Sequence, residues 1–118
     1  MDVIMMYHPT CSKSKRAREA LADLAVPERN LEENMLTQQE ILELAGELGV
    51  KVQDLLRANS PVYQERTAEL FAMEEAELAA LMATEPTLIR RPILKTPHGY
   101  VVGLDEEKMK ELIGASQS

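Results

Sequence analysis

The stretch His8-Pro9-Thr10-Cys11-Ser12-Lys13-Ser14-Lys15-Arg16 constrains this chain more than any other. It stands between a short apolar run, Val3 to Tyr7, and a segment in which Ala17, Ala20, Leu21 and Leu24 recur at i, i+3, i+4 and i+7. The run reads as a strand buried on both faces in the middle of a sheet. The recurrence reads as an amphipathic helix that stops near Val26-Pro27. A strand that feeds a helix through a tight turn commits the chain to a layered α/β arrangement, whose ligands sit at the carboxyl ends of the strands. Cys11, the single cysteine, lies at that junction. A thiol there meets unpaired backbone N–H groups and the positive end of the helix dipole, and both favour thiolate over thiol.

Lys13, Lys15, Arg16 and Arg18 crowd the first turns of this helix. Cations there oppose the macrodipole at a cost of roughly a few tenths of a kcal/mol each. Helix stability alone would not choose them, whereas a thiolate or a multiply charged anion would. The other reading is an inert core cysteine beneath a solvated basic face. The chain as a whole carries a net charge of −7, which argues against direct nucleic-acid binding by bulk electrostatics. Residues 1–18 hold four basic side chains and one acidic one, so a small anion steered to the cysteine end is the better expectation.

One cysteine makes no internal disulfide, so a redox cycle must borrow its second thiol from another molecule. Ser14 stands three residues after Cys11, where it can hydrogen-bond a thiolate but cannot resolve a disulfide. Two distant histidines and one cysteine offer no metal-ligand spacing. No apolar run has membrane-spanning length and no leader pattern is read at Met1, so no membrane partner and a cytoplasmic location are expected.

The rest of the chain divides by its local signals. Glu28 to Glu33 is a weak strand candidate. Thr37-Gln38-Gln39-Glu40 is a capping box ahead of Ile41, Leu44, Ala45 and Leu48, closed by Gly49. Val52 to Leu56 reads as a helical turn that delivers Arg57-Ala58-Asn59. One or two helices are expected between Glu65 and Met82, ending before Pro86, with Glu74, Glu75 and Glu77 on a solvated face at the start of the second. Ile93 to Thr96 and Tyr100 to Val102 read as a hairpin around Pro97-His98-Gly99. Asp105 caps a last helix bearing Met109, Leu112 and Ile113, and Gly114 to Ser118 is expected to fray. His98 is given no role.

Three separated motifs now occur in order: Tyr7-His8-Pro9-Thr10-Cys11-Ser12-Lys13-Ser14-Lys15, Leu55-Leu56-Arg57-Ala58-Asn59 and Ile89-Arg90-Arg91-Pro92-Ile93. With them the chain, from Val3 to about Ile113, resembles the arsenate reductase/Spx-like family of thioredoxin-fold proteins. The resemblance implies a single α/β thioredoxin-like domain over residues 1–118, built from a βαβ unit, a β-hairpin and a C-terminal helix, with a helical insert at about 37–86. It implies that Cys11 is the nucleophile and that His8 and Ser14 serve the thiolate. It also implies that Arg57 and Arg91, with Lys13 and Ser12 at the turn, bind substrate oxygens, and that Pro92 is a cis-proline facing the cysteine. His8 alone is equally readable as a capping or solvent-facing histidine. A guanidinium fork matches a tetrahedral oxyanion and neutralises the charge a thiolate must approach.

The implied activity is that of a glutaredoxin-dependent arsenate reductase: no bound cofactor, with glutathione and glutaredoxin as external reductant and partner. The alternatives are a glutathione-dependent thiol reductase of another substrate, or a non-catalytic Spx-like regulator that binds RNA polymerase. Two departures bear on the choice. Leu104 stands where these reductases have a further arginine, and the Tyr7–Cys11 loop is one residue shorter than usual.

Overall fold

The computed structural model describes residues Val3–Gln117. It comprises two compact units, one formed by the segments 1–34 and 91–118 and the other by Met35–Arg90.

The first unit is built on a four-stranded sheet of order β2-β1-β3-β4. Its strands are β1 (Ile4–Tyr7), β2 (Glu28–Asn30), β3 (Ile93–Thr96) and β4 (Gly99–Val102). β1 pairs in parallel with β2 and antiparallel with β3, and β3 pairs antiparallel with β4. The continuous apolar run is explained by this central place: Met5 and Met6 point to opposite faces, and both are buried. On one face Met5, Leu94 and Val101 pack with Ala17 of helix α1 (Ser12–Ala20), with Leu21 just past its end, and with Met109 and Ile113 of helix α5 (Glu106–Gln117).

Helix α1 ends at Ala20 and not near Val26. The chain tightens there into a 3₁₀ turn, Ala22–Leu24, and Ala25 takes a left-handed conformation with φ 51°. The turn still brings Leu24 against the core, which is why the helical spacing continued past the helix. β2 is shorter than the candidate stretch, and its register is set by Met5 N–H donating to Pro27 O and Leu31 N–H donating to Tyr7 O, both at 2.8 Å. In the hairpin Gly99 belongs to β4, opposite Thr96, so the connection is Pro97-His98 alone. Asp105 does cap α5, accepting the Lys108 N–H at 3.1 Å. That helix continues through Gly114 to Gln117, held in part by Ser116 Oγ donating to Leu112 O, so the expected fraying is not seen there; Ser118 lies outside the described residues.

The second unit contains α2 (Gln38–Leu48), α3 (Pro61–Ala72) and α4 (Glu75–Thr84), with 3₁₀ turns at Val52–Leu55 and Pro86–Leu88. Thr37 and Glu40 form the reciprocal capping box, and Gly49 closes α2 at φ 68°, a left-handed position that glycine takes without steric cost. Ile41, Leu44, Val52, Leu70, Leu78, Met82 and Leu88 are buried in this unit. The Glu65–Met82 segment divides into two helices at Met73-Glu74. α3 starts at Pro61, earlier than Glu65, because proline suits a first helical turn that has no N–H partner to lose. Glu75 is more than part of a solvated face, since its Oε1 accepts the Val52 N–H at 2.9 Å.

Candidate functional site

Cys11 is the N-cap residue of α1, with an extended backbone at φ −90° and ψ 122°. Its own N–H donates to His8 O at 3.1 Å, and its carbonyl accepts the Lys15 N–H at 3.0 Å, so the turn and the first helical bond both pass through this residue. The thiol is partly exposed and free of any disulfide. Ser14, one turn further on, is fully buried, and its Oγ accepts the His8 N–H at 3.1 Å. That bond occupies a lone pair and leaves the hydroxyl proton for the sulfur.

The Cys11 side chain closes no capping bond to the helix. Burial pushes the Cys11 thiol up, but the Ser14 amide, the Arg91 guanidinium, the Ser14 hydroxyl and the Lys13 amide all favour the thiolate. Together they hold Cys11 below its ordinary value. Arg91 is itself only 8% exposed, so its charge acts on the sulfur with little screening by water. The Arg91–Pro92 peptide is cis, and Pro92 is fully buried.

The residues of the basic turn are placed in different ways. The side chains of Ser12, Lys13, Lys15 and Arg16 are exposed, and it is the backbone of Lys13 that acts on the sulfur. Arg18 is engaged elsewhere. Its guanidinium lies 3.9 Å from the centre of the Tyr7 ring and grips Glu28 through two bonds of 2.7 and 3.0 Å, joining α1 to β1 and β2. The ring of His8 is turned to Thr10 and Glu32: Nδ1 accepts the Thr10 N–H at 3.3 Å and meets Thr10 Oγ1 at 2.9 Å, while Nε2 lies 3.8 Å from Glu32 Oε2. With Nδ1 an acceptor, the neutral ring carries its proton on Nε2, toward the carboxylate. Thr10 and Glu32 were missed in the sequence; only the pairing of β2 beside β1 brings Glu32 to the His8 turn.

Leu104 is packed against the core cluster of the sheet. Arg57 belongs to the second unit, where its N–H donates to Leu88 O at 2.7 Å and its Nη1 to Thr87 O at 3.5 Å. A cavity of about 460 Å³ lies beside α1, lined by Met5, Arg18, Leu21, Val26 and Glu28 among others, and includes none of Cys11, Ser14 and Arg91. Among the described residues no group of three or more His, Cys, Asp or Glu side chains is placed to hold a metal ion, and no helix is long and apolar enough to cross a membrane.

A half-buried thiol at the start of the first helix, in a unit with a four-stranded mixed sheet and a cis-proline, defines an α/β protein of the thioredoxin-like class with a single cysteine. The comparisons carry this further. The sequence profile of the ArsC family matches residues 6–112, and the chain belongs to that family. An arsenate reductase of Acidiphilium multivorum is 31% identical over 120 residues, covering 99% of this chain and 85% of that protein. The global transcriptional regulator Spx of Streptococcus mutans is 24% identical, over 94% of this chain and 82% of its own length. Among solved structures, the arsenate reductase from Vibrio cholerae matches with a TM-score of 0.80 at 26% identity, covering 93% of this chain and 96% of that one.

Proposed function

We propose that this protein is a cytoplasmic monothiol oxidoreductase that reduces arsenate, with glutathione and glutaredoxin as its external reductant. The observation that carries the reading is the place of Cys11 as the N-cap residue of α1, in the unit that buries Ser14 and Arg91, whose hydroxyl and guanidinium with the Ser14 and Lys13 amides favour its thiolate. The Cys11 thiolate attacks the arsenic atom and displaces one oxygen as water. A glutathione thiol then attacks Sγ, so that the two thiols become a mixed disulfide and the pair of electrons reduces arsenic from the +5 to the +3 state. Glutaredoxin with further glutathione returns Cys11 to the thiol. Arg91 holds oxyanion oxygens beside the sulfur, assisted by Ser12 and Lys13 at the turn, and Arg57 is the second guanidinium assigned to the oxyanion. His8 serves the site by holding the turn through Thr10 and Glu32.

The test is arsenate-dependent oxidation of NADPH in the presence of glutathione, glutaredoxin and glutathione reductase, comparing the native chain with Cys11→Ser. Turnover that the substitution abolishes is the expected result. A folded, alkylatable native protein with no turnover, beside a working control enzyme, defeats the proposal. The similarity to Spx regulators over 94% of the chain favours a second reading, a non-catalytic adaptor of RNA polymerase. Retention of polymerase in a pull-down without any thiol turnover distinguishes it.

A further inference from the structure

We propose that the hydroxyl pair Ser60–Thr87 is a positioning device for the Arg57 guanidinium. The inference rests on the reading above, in which Arg57 holds substrate oxygens. Ser60 is the N-cap residue of α3 and is fully buried, yet its side chain makes no capping bond to that helix. An N-cap serine ordinarily gives its oxygen to the N2 or N3 amide. Here Ser60 Oγ instead meets Thr87 Oγ1 at 3.0 Å, across 27 residues of sequence. Thr87 lies in the Pro86–Leu88 turn, and its carbonyl is the group that accepts Arg57 Nη1.

The backbone closes the same ring. Arg57 N–H donates to Leu88 O, Ser60 N–H donates back to Arg57 O at 3.1 Å, and Arg90 N–H donates to Leu55 O at 3.0 Å beside the Leu56–Ile89 bridge. Arg57 is therefore held at its amide, its carbonyl and its guanidinium by two segments that the hydroxyl pair ties together. A buried hydroxyl that loses its partner is left unsatisfied, so the pair resists opening. Arginine has much rotamer freedom to lose on binding, and a guanidinium already held in place loses less of it.

The experiment uses the full chain with Thr87→Val, which keeps the shape of the side chain and removes its hydroxyl, and Thr87→Ser, which restores it. Ser60→Ala/Thr87→Val, which leaves no orphaned hydroxyl, stands in where the single variant does not fold. Two readouts are taken: the ¹⁵N order of the Arg57 Nε–H group, and the arsenate concentration that half-protects Cys11 from iodoacetamide. Thr87→Val is expected to lower the Arg57 order and to raise that concentration by about three- to tenfold, the range for one hydrogen bond. Thr87→Ser should restore both, and on an Arg57→Ala background Thr87→Val should add nothing.

A folded Thr87→Val chain with unchanged Arg57 order overturns the proposal, whatever arsenate does. Protection of the native chain that Thr87→Val leaves unmoved overturns it as well. If Arg57 order falls while arsenate protects neither chain, the positioning device stands and the arsenate reading is the one that fails.

Discussion

Replacing Ser14 by alanine separates the groups that hold the turn from those that hold the charge. The buried hydroxyl accepts from His8 N–H and faces Cys11 Sγ as a donor, so one atom serves both. Losing the acceptor leaves the partly buried His8 amide unsatisfied, at a cost of about 1 to 3 kcal/mol in folding stability. Losing the donor removes a hydrogen bond to a charged group, about 1.5 to 3 kcal/mol. The thiol is partly exposed and water can replace some of the lost stabilisation, so the lower end applies. About 1.5 kcal/mol corresponds to roughly a tenfold lower ratio of thiolate to thiol.

Alkylation by iodoacetamide reads that ratio directly, because only the thiolate reacts. At pH values below the native chain's own alkylation midpoint, read from its pH profile, the Ser14→Ala chain should react roughly tenfold more slowly than the native one, with the two rates converging above the ordinary thiol range. Urea denaturation establishes that the variant is folded at the assay temperature. Coincident pH profiles of alkylation from two folded chains would refute the argument, since the hydroxyl would then contribute nothing to the charge on sulfur.

Two further outcomes follow from burial and charge. Because the folded-state value of Cys11 lies below its ordinary one, ionisation stabilises the native chain relative to Cys11→Ser. That advantage should be full above the ordinary thiol value and vanish as pH falls through the folded one; urea midpoints that show no such trend would contradict the lowered value. Ile93 is fully buried in the centre of the sheet, opposite Met6 and Val102, so Ile93→Ala should cost about 2 to 5 kcal/mol in chemical denaturation. A loss below about 1 kcal/mol would mean that this face of the sheet is not tightly packed.

The turn signals of the chain were legible because each is a local property of a few residues. The Thr37–Glu40 box, Gly49, Asp105 and the turn from Thr96 to Gly99 all act over four or five positions, and the structure has them where the residues place them, with Gly99 opening β4. The end of α1 was not legible, because Leu24 keeps the helical spacing while reaching the core through a 3₁₀ turn. β2 was weak in sequence because Glu28, Arg29 and Asn30 carry no apolar pattern. Their strand exists through pairing with β1.

The same division runs through the candidate site. By itself, the sequence determined a lone thiol at a strand-to-helix junction and a serine three residues on, since both are matters of order along the chain. It also determined the basic residues of α1, but not their use. Only the tertiary structure sent Arg18 to Glu28 and Tyr7, turned His8 to Thr10 and Glu32, and brought Arg91 from eighty residues away to the sulfur. Side-chain charge can be counted from composition, but its effect on a thiol depends on distance and on how much water lies between, and strand pairing sets both.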